Sequence, residues 1–155
     1  MTRINANIRP EHLIDQHLVA EYREIIRIPN AVAKIKKHGD RKYPKVFKLG
    51  GGHVLYFYDK IKYLHRRFLD LKQEMRNRVI ANNIGDDMFV QFRDNAELGI
   101  FYYHDINPTD MHEPNALLVE RIIERLYEMK RAPTINGELV DKAEYANMLR
   151  TYYNS

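Results

Sequence analysis

The residue types that could do chemistry are concentrated near the start of the chain. On a helical wheel, residues 11–28 form one apolar arc, made by Leu13, Ile14, Leu18, Ile25 and Ile28. His17, Glu21 and Glu24 lie within the same arc. Polar groups beside an apolar stripe need partners and tend to have shifted pKa values. The pattern therefore indicates a partly buried carboxylate on a helix.

A cationic stripe borders these carboxylates on the same wheel. Gln16, Arg23 and Arg27 fall on the side adjoining Glu24. Guanidinium groups bind phosphate well because they offer several N–H donors and a permanent charge. One helix would thus present a carboxylate next to a phosphate-binding edge.

Each of these residues also has a purely structural interpretation. Glu21 could equally pair with a buried arginine or cap another helix, and His17 is more often a hydrogen-bonded core histidine than a ligand. The i,i+4 spacing of His17 and Glu21 would suit a metal, but no complementary ligand cluster is evident and the chain has no cysteine. We therefore expect no metal and no organic cofactor.

Charge is distributed unevenly along the 155 residues. Residues 1–80 hold 18 Lys/Arg and 8 Asp/Glu, whereas residues 81–155 hold 7 Lys/Arg and 13 Asp/Glu. The basic half would attract polyanions such as nucleic acid, although a solvated surface without a partner has the same composition. No apolar run is long enough to span a membrane, and no signal-peptide core is present. The expectation is a monomeric, cytoplasmic protein without a membrane partner.

The elements that must position these residues are mainly helices. The length suits one compact domain over residues 1–155. We predict an all-α fold with three main helices and long loops. The helices cover Pro10 or Glu11 to about Ile28, ending before Pro29, then about 53–78, and about 114–130.

The remaining segments are less regular. Residues 34–48 contain seven Lys/Arg, with Tyr43 and Phe47 either stacking on a ligand or anchoring the segment to the core. Glycines at 50–52 precede the second helix. Residues 98–103 are β-prone and predict a short strand or an extended loop. Asn136-Gly137 predicts a turn, and residues 138–152 could form a short closing helix.

Three stretches resemble a known family, the phage pyrimidine-dimer DNA glycosylases of the endonuclease V type. They are MTRIN at 1–5, DQHLVAEYRE at 15–24 and GGHVLYFYDK at 51–60. The resemblance is close over about half of the chain and thinner over HEPNALLVERI at 112–122 and RAPT at 131–134. We place no family counterpart for residues 79–111, and the family's aromatic stretch after Arg-Pro-Thr is missing here.

The resemblance implies a DNA-repair enzyme with glycosylase and abasic-site lyase activities. Removal of Met1 would free the α-amine of Thr2 to attack the sugar C1′ and form an iminium. A glutamate matching Glu24 would stabilise the cationic intermediate. Residues matching Arg3, Arg23 and Arg27 would bind phosphates, with Gln16 and His17 in the same site. The substrate would be damaged duplex DNA, bent and with one nucleotide flipped out.

The chemistry of an N-terminal amine agrees with this role. A Schiff-base nucleophile must be unprotonated, and an α-amine of pKa ~7.7–8.0 is roughly 15–25 % neutral near pH 7.2, against below about 0.1 % for lysine. A small residue after the initiator is common, so Thr2 alone is a weak signal. Two alternatives stay open: the same chemistry on another damaged base or an abasic site, and a basic DNA-binding module without catalysis.

Overall fold

The computed structural model describes residues 2–39, 42–47, 49, 53–107 and 115–153. Helices dominate this part of the chain, which confirms the all-α prediction, and one two-stranded hairpin is added. No helix in the described residues is long and apolar enough to cross a membrane.

The first predicted helix is divided into three pieces, so the continuous helix over 11–28 is wrong. A 3-10 turn covers Pro10–His12, α1 covers Asp15–Glu24 and α2 covers Arg27–Ala33. We expected the helix to end before Pro29, but Pro29 is the third residue of α2 and therefore lies in its first turn, where proline is tolerated. In the first turn the missing amide N–H has no intrahelical acceptor to lose. The predicted inward arc is nonetheless fully buried.

The second predicted helix is also shorter than its pattern. Its beginning is a 3-10 turn over His53–Phe57, and α3 covers Ile61–Asn77 after a non-helical Lys60. The predicted apolar stripe is confirmed as core: Phe57, Ile61, Leu64, Phe68, Leu71 and Met75 are all buried. Helix α3 packs against α1 and against α4, so it forms the centre of the fold.

The region expected to contain a strand or an extended loop folds into two short helices. These are α4, Asp87–Asp94, and α5, Ala96–Tyr102. Asn95 caps α5 by accepting a hydrogen bond from the amide of Leu98 at 3.1 Å. Tyr102 is buried edge-to-face against Phe92, with ring centroids 5.9 Å apart. Capping and tertiary packing thus override the β propensity of residues 98–103.

The C-terminal elements follow the sequence pattern. Helix α6 covers Asn115–Glu128, and strands β1, Thr134–Ile135, and β2, Glu138–Leu139, pair antiparallel. Asn136 and Gly137 have φ of 56° and 78°, as a two-residue type I′ turn requires. Helix α7, Lys142–Tyr153, packs on α6. The third helix, the turn and the closing helix are confirmed.

The basic segment is attached to the core by its aromatic residues. Phe47 is fully buried and Tyr43 is half-buried against Tyr58, with ring centroids 5.6 Å apart. The described lysines of this segment are exposed, namely Lys34, Lys36, Lys37, Lys42 and Lys45. The glycines at 50–52 lie outside the described residues.

Candidate active site

A cavity of about 410 Å³ opens where the start of the chain meets α1 and the end of α6. Its lining includes Arg3 and Asn5 from the N-terminal segment, His17, Glu21 and Glu24 from α1, and Arg125, Glu128 and Met129 from the end of α6 and the residue after it. Most of these side chains are polar or charged. Segments more than 100 residues apart in sequence therefore form one charged cavity beside the N-terminus.

Glu21 is fully committed to the scaffold. Its carboxylate accepts hydrogen bonds from Arg67 Nε at 2.7 Å and Nη2 at 3.0 Å, and from Asn5 Nδ2 at 2.9 Å. Arg67 also donates to the carbonyl of Ile8 at 2.5 Å. Both ionised side chains are buried. The interpretation of Glu21 as the partner of a buried arginine is confirmed.

Glu24 lies in the same cavity with much weaker contacts. Its side chain is 20 % exposed, and the contact to Arg27 Nη1 is 3.7 Å, too long for a hydrogen bond. Among the described residues no other side chain forms an ion pair with it. Its carboxylate therefore keeps acceptor capacity that faces a cavity, in contrast to Glu21 one turn earlier.

Two arginines of α6, one that lines the cavity and one that contacts the adjoining N-terminal segment, are not predicted from the sequence. Arg121 Nη2 donates to the carbonyl of Ile4 at 2.8 Å, and Arg125 lines the cavity. Burial, together with nearby Arg121 and Arg3, lowers the pKa of Arg125 to about 9, so it remains charged at neutral pH. A signal existed: Arg125 shares its helical face with Leu118, Ile122 and Met129.

Several buried polar atoms around the cavity have no hydrogen-bond partner within the described part of the chain. They are Arg3 Nε, Arg121 Nε and Asn5 Oδ1. A buried donor without an acceptor is costly, and a guanidinium more so because it is charged. Two such donors together are typical of a site that binds an anion.

His17 lies in the cavity as a neutral side chain at physiological pH. Burial, with additional repulsion from Arg125 and Arg3, lowers its pKa to about 4. It can therefore exchange hydrogen bonds with a ligand but adds no positive charge at pH 7.

The predicted stripe of Gln16, Arg23 and Arg27 on one helix is wrong, because α1 ends at Glu24 and Arg27 begins α2. Gln16 Nε2 donates to the carbonyl of Ala132 at 3.0 Å, and its Oε1 accepts from the amide of Thr134 at 3.2 Å. Gln16 and Arg23 line a second cavity on the other side of Ala20, which borders both cavities. Arg27 is exposed beside Glu24.

Thr2 immediately precedes Arg3 and is half-buried. Its neighbour Arg3 contributes to the lining of the cavity that contains Glu24. The expected removal of Met1 concerns a residue outside the described part of the chain.

Comparison with known families identifies a match. A family model described as pyrimidine dimer DNA glycosylase matches residues 1–88. The matched part includes the N-terminal segment, α1, α2 and α3, and thus Glu21, Glu24 and Arg67. Helix α6 with Arg121 and Arg125 lies beyond it.

Proposed function

The chain belongs to the pyrimidine dimer DNA glycosylase family. On that premise we propose that it breaks the bond between the sugar and a damaged pyrimidine of the dimer. It then cuts the strand at the resulting abasic site through a Schiff base on the amine of Thr2. The glycosylase activity on DNA containing pyrimidine dimers follows from the family. The nucleophile, the lyase step and the roles of individual residues are our proposal.

The proposed reaction has two stages. In the first, the neutral α-amine attacks C1′ while the bond from C1′ to the base nitrogen breaks, and the base leaves with the bonding electrons. The amine proton then passes to the ring oxygen O4′ as the C1′–O4′ bond breaks, which opens the sugar ring and leaves an iminium at C1′. In the second stage a proton leaves C2′ and the C3′–O bond breaks, so the 3′ phosphate departs and the strand is cut.

Glu24 is the carboxylate that we assign to the cationic intermediate, and its contrast with Glu21 carries the proposal. Glu21 accepts hydrogen bonds from Arg67 and Asn5 and cannot turn to a substrate. Glu24 lines the same cavity with only a 3.7 Å contact to Arg27. An ionised carboxylate held in a partly dry cavity stabilises positive charge that develops on the sugar.

Phosphate binding is assigned to the cations around the cavity. Arg3 and Arg125 line the cavity, and the guanidinium of Arg121 interacts electrostatically with that of Arg3. The Nε atoms of Arg3 and Arg121 lack protein acceptors among the described residues. Phosphate oxygens are the acceptors that would satisfy them. Arg27, exposed beside Glu24, and Arg23, exposed in the neighbouring cavity that shares Ala20, are assigned to further phosphates of the backbone. Such contacts position the duplex and give no sequence preference.

Gln16 and His17 are assigned supporting roles in DNA binding. His17, uncharged at pH 7, would exchange a hydrogen bond with the DNA inside the cavity. Gln16 uses its amide to hold the segment around Thr134 against α1. Its effect on the DNA is therefore expected to be indirect, through the position of that segment.

The test is borohydride trapping on a duplex with one cyclobutane pyrimidine dimer. Wild-type protein should give a covalent complex and a cut strand. Glu24→Gln should lower strand cutting by about 10²-fold or more while DNA binding stays within a few-fold, because a neutral amide cannot stabilise the cation. Glu128→Gln is the matched control, since Glu128 lines the same cavity but is exposed.

Three outcomes would contradict the proposal. Binding of the duplex without any trapped complex would indicate a DNA-binding module. Equal activity of Glu24→Gln and wild type would remove Glu24 from the mechanism. Loss of activity in Glu128→Gln to the same degree as in Glu24→Gln would show that general cavity charge matters and not the position of one carboxylate.

A further inference from the structure

Val79 adopts a backbone conformation that a β-branched residue rarely takes. It follows α3 with φ of 57°, and its neighbours complete the helix end: Ile80 N donates to Met75 O at 2.8 Å and Val79 N to Arg76 O at 3.0 Å. This helix-end motif normally has glycine at the left-handed position. The other described non-glycine residues with positive φ are both asparagine, Asn7 and Asn136.

The strain at Val79 is not offset by burial. The residue is 93 % exposed, more than any other large hydrophobic residue in the described part of the chain. A valine here gains no core contacts and keeps an unfavourable backbone conformation. Strained, exposed positions of this kind are characteristic of sites that contact a ligand.

The surroundings of Val79 identify the chemistry of that ligand. Arg78 and Ile80, on either side of it, line the second cavity, of about 680 Å³, together with Arg23 and Arg131. Arg78 is paired with Asp15 and Glu74, but neither Arg23 nor Arg131 has a carboxylate within 4 Å in the described ranges. An exposed apolar tip whose two sequence neighbours line a cavity with two unpaired cations suits a polyanion that also has an apolar interior, which is a nucleic acid duplex.

We infer that Val79 is a wedge that inserts between stacked bases next to the lesion while Arg23 and Arg131 hold the backbone. This inference rests on the proposed function, because it takes damaged duplex DNA as the ligand. Apolar side chains that enter a base step unstack it and kink the duplex. The second cavity shares Ala20 with the cavity of Glu24, so a wedge here acts close to the site of base excision.

Substitutions at this position separate a wedge from a structural residue. Val79→Gly and Val79→Asn both suit the left-handed backbone and remove the apolar tip, whereas Val79→Leu keeps an apolar tip. Relief of strain should raise the Tm of Val79→Gly by about 3–6 °C. The same variant should excise dimers about tenfold more slowly, because it loses the apolar contacts that offset part of the few kcal/mol needed to unstack a base step. If Val79 had only a structural role, its replacement would not raise the Tm of the protein and lower its rate of excision at the same time.

The experiment measures excision and base unstacking on one duplex, which carries a cyclobutane dimer and 2-aminopurine at the adjacent step. Wild type and Val79→Leu should raise the 2-aminopurine fluorescence on binding, and Val79→Gly and Val79→Asn should not. Ile100→Ala is the control, because Ile100 is also exposed, at 70 %, but on α5.

The outcomes distinguish this inference from the proposed function. Full excision and full fluorescence change in Val79→Gly and Val79→Asn, with active wild type, would overturn the wedge alone. Equal losses in Ile100→Ala would overturn it as well, since any exposed apolar residue would then suffice. Absence of excision and trapping in the wild type would overturn the proposed function.

Discussion

Replacing Arg67 with methionine removes the buried partner of Glu21 and tests which glutamate is part of the scaffold. Arg67 Nε and Nη2 donate to the two carboxylate oxygens of Glu21 at 2.7 and 3.0 Å, and Nη1 donates to Ile8 O at 2.5 Å. Without Arg67, an ionised carboxylate remains buried with only the amide of Asn5 as donor.

The cost follows from that geometry. Removing one partner of a buried ion pair typically destabilises a protein by about 3–5 kcal/mol. For a domain of this size that lowers Tm by roughly 6–20 °C. Arg66 is the matched control: it is the preceding residue and forms a bidentate pair with Asp105, but both partners are exposed. Arg66→Met should cost below about 1 kcal/mol.

Urea unfolding followed by circular dichroism measures the two free energies of unfolding. The double variant Glu21→Met with Arg67→Met should recover most of the loss, because no unpaired charge is left in the core. Equal destabilisation by Arg67→Met and Arg66→Met would refute the reasoning. So would a double variant that is less stable than Arg67→Met alone.

Two further predictions concern the site. Because burial lowers the pKa of His17 to about 4, its folded pKa lies below the unfolded value of 6.5, so stability should fall as the pH drops from about 6.5 towards 4. His17→Gln should remove that part of the pH dependence of the free energy of unfolding, measured in urea. If NMR of the folded wild-type protein showed His17 titrating near pH 6.5, the prediction would be contradicted. Arg27→Ala should weaken duplex binding and reduce the slope of log K against log salt by about 1, as loss of one phosphate contact requires. An unchanged slope in fluorescence anisotropy titrations would exclude Arg27 from phosphate binding.

The helical cores could be predicted from the sequence because apolar spacing reports burial directly. Leu18, Leu64 and Leu126 belong to periodic stripes and all three are buried. Helix ends were harder to predict. Pro29 is tolerated in the first turn of α2, and the β-prone residues before Tyr102 become helical through a cap and an aromatic contact that only the tertiary structure supplies.

The residues that α1 contributes to the candidate site could be predicted from the sequence, and the residues that α6 contributes could not. Glu21 and Glu24 were found because charged residues interrupt an apolar arc. Their different environments depend on Arg67, 46 positions after Glu21 along the chain, and no local pattern specifies that pairing. Arg125 shows the same pattern as Glu21, a charged residue on an apolar helical face. That face of α6 contacts the N-terminal segment, which is more than 100 residues away in sequence, so no local pattern predicts the contact.

Mass analysis of the borohydride-trapped complex tests the central claim most directly. After the complex with dimer-containing duplex is digested with protease and nuclease, the deoxyribose adduct should lie on the α-nitrogen of a peptide that begins at Thr2. An adduct on a lysine side chain, or an active protein that retains Met1, would contradict the account.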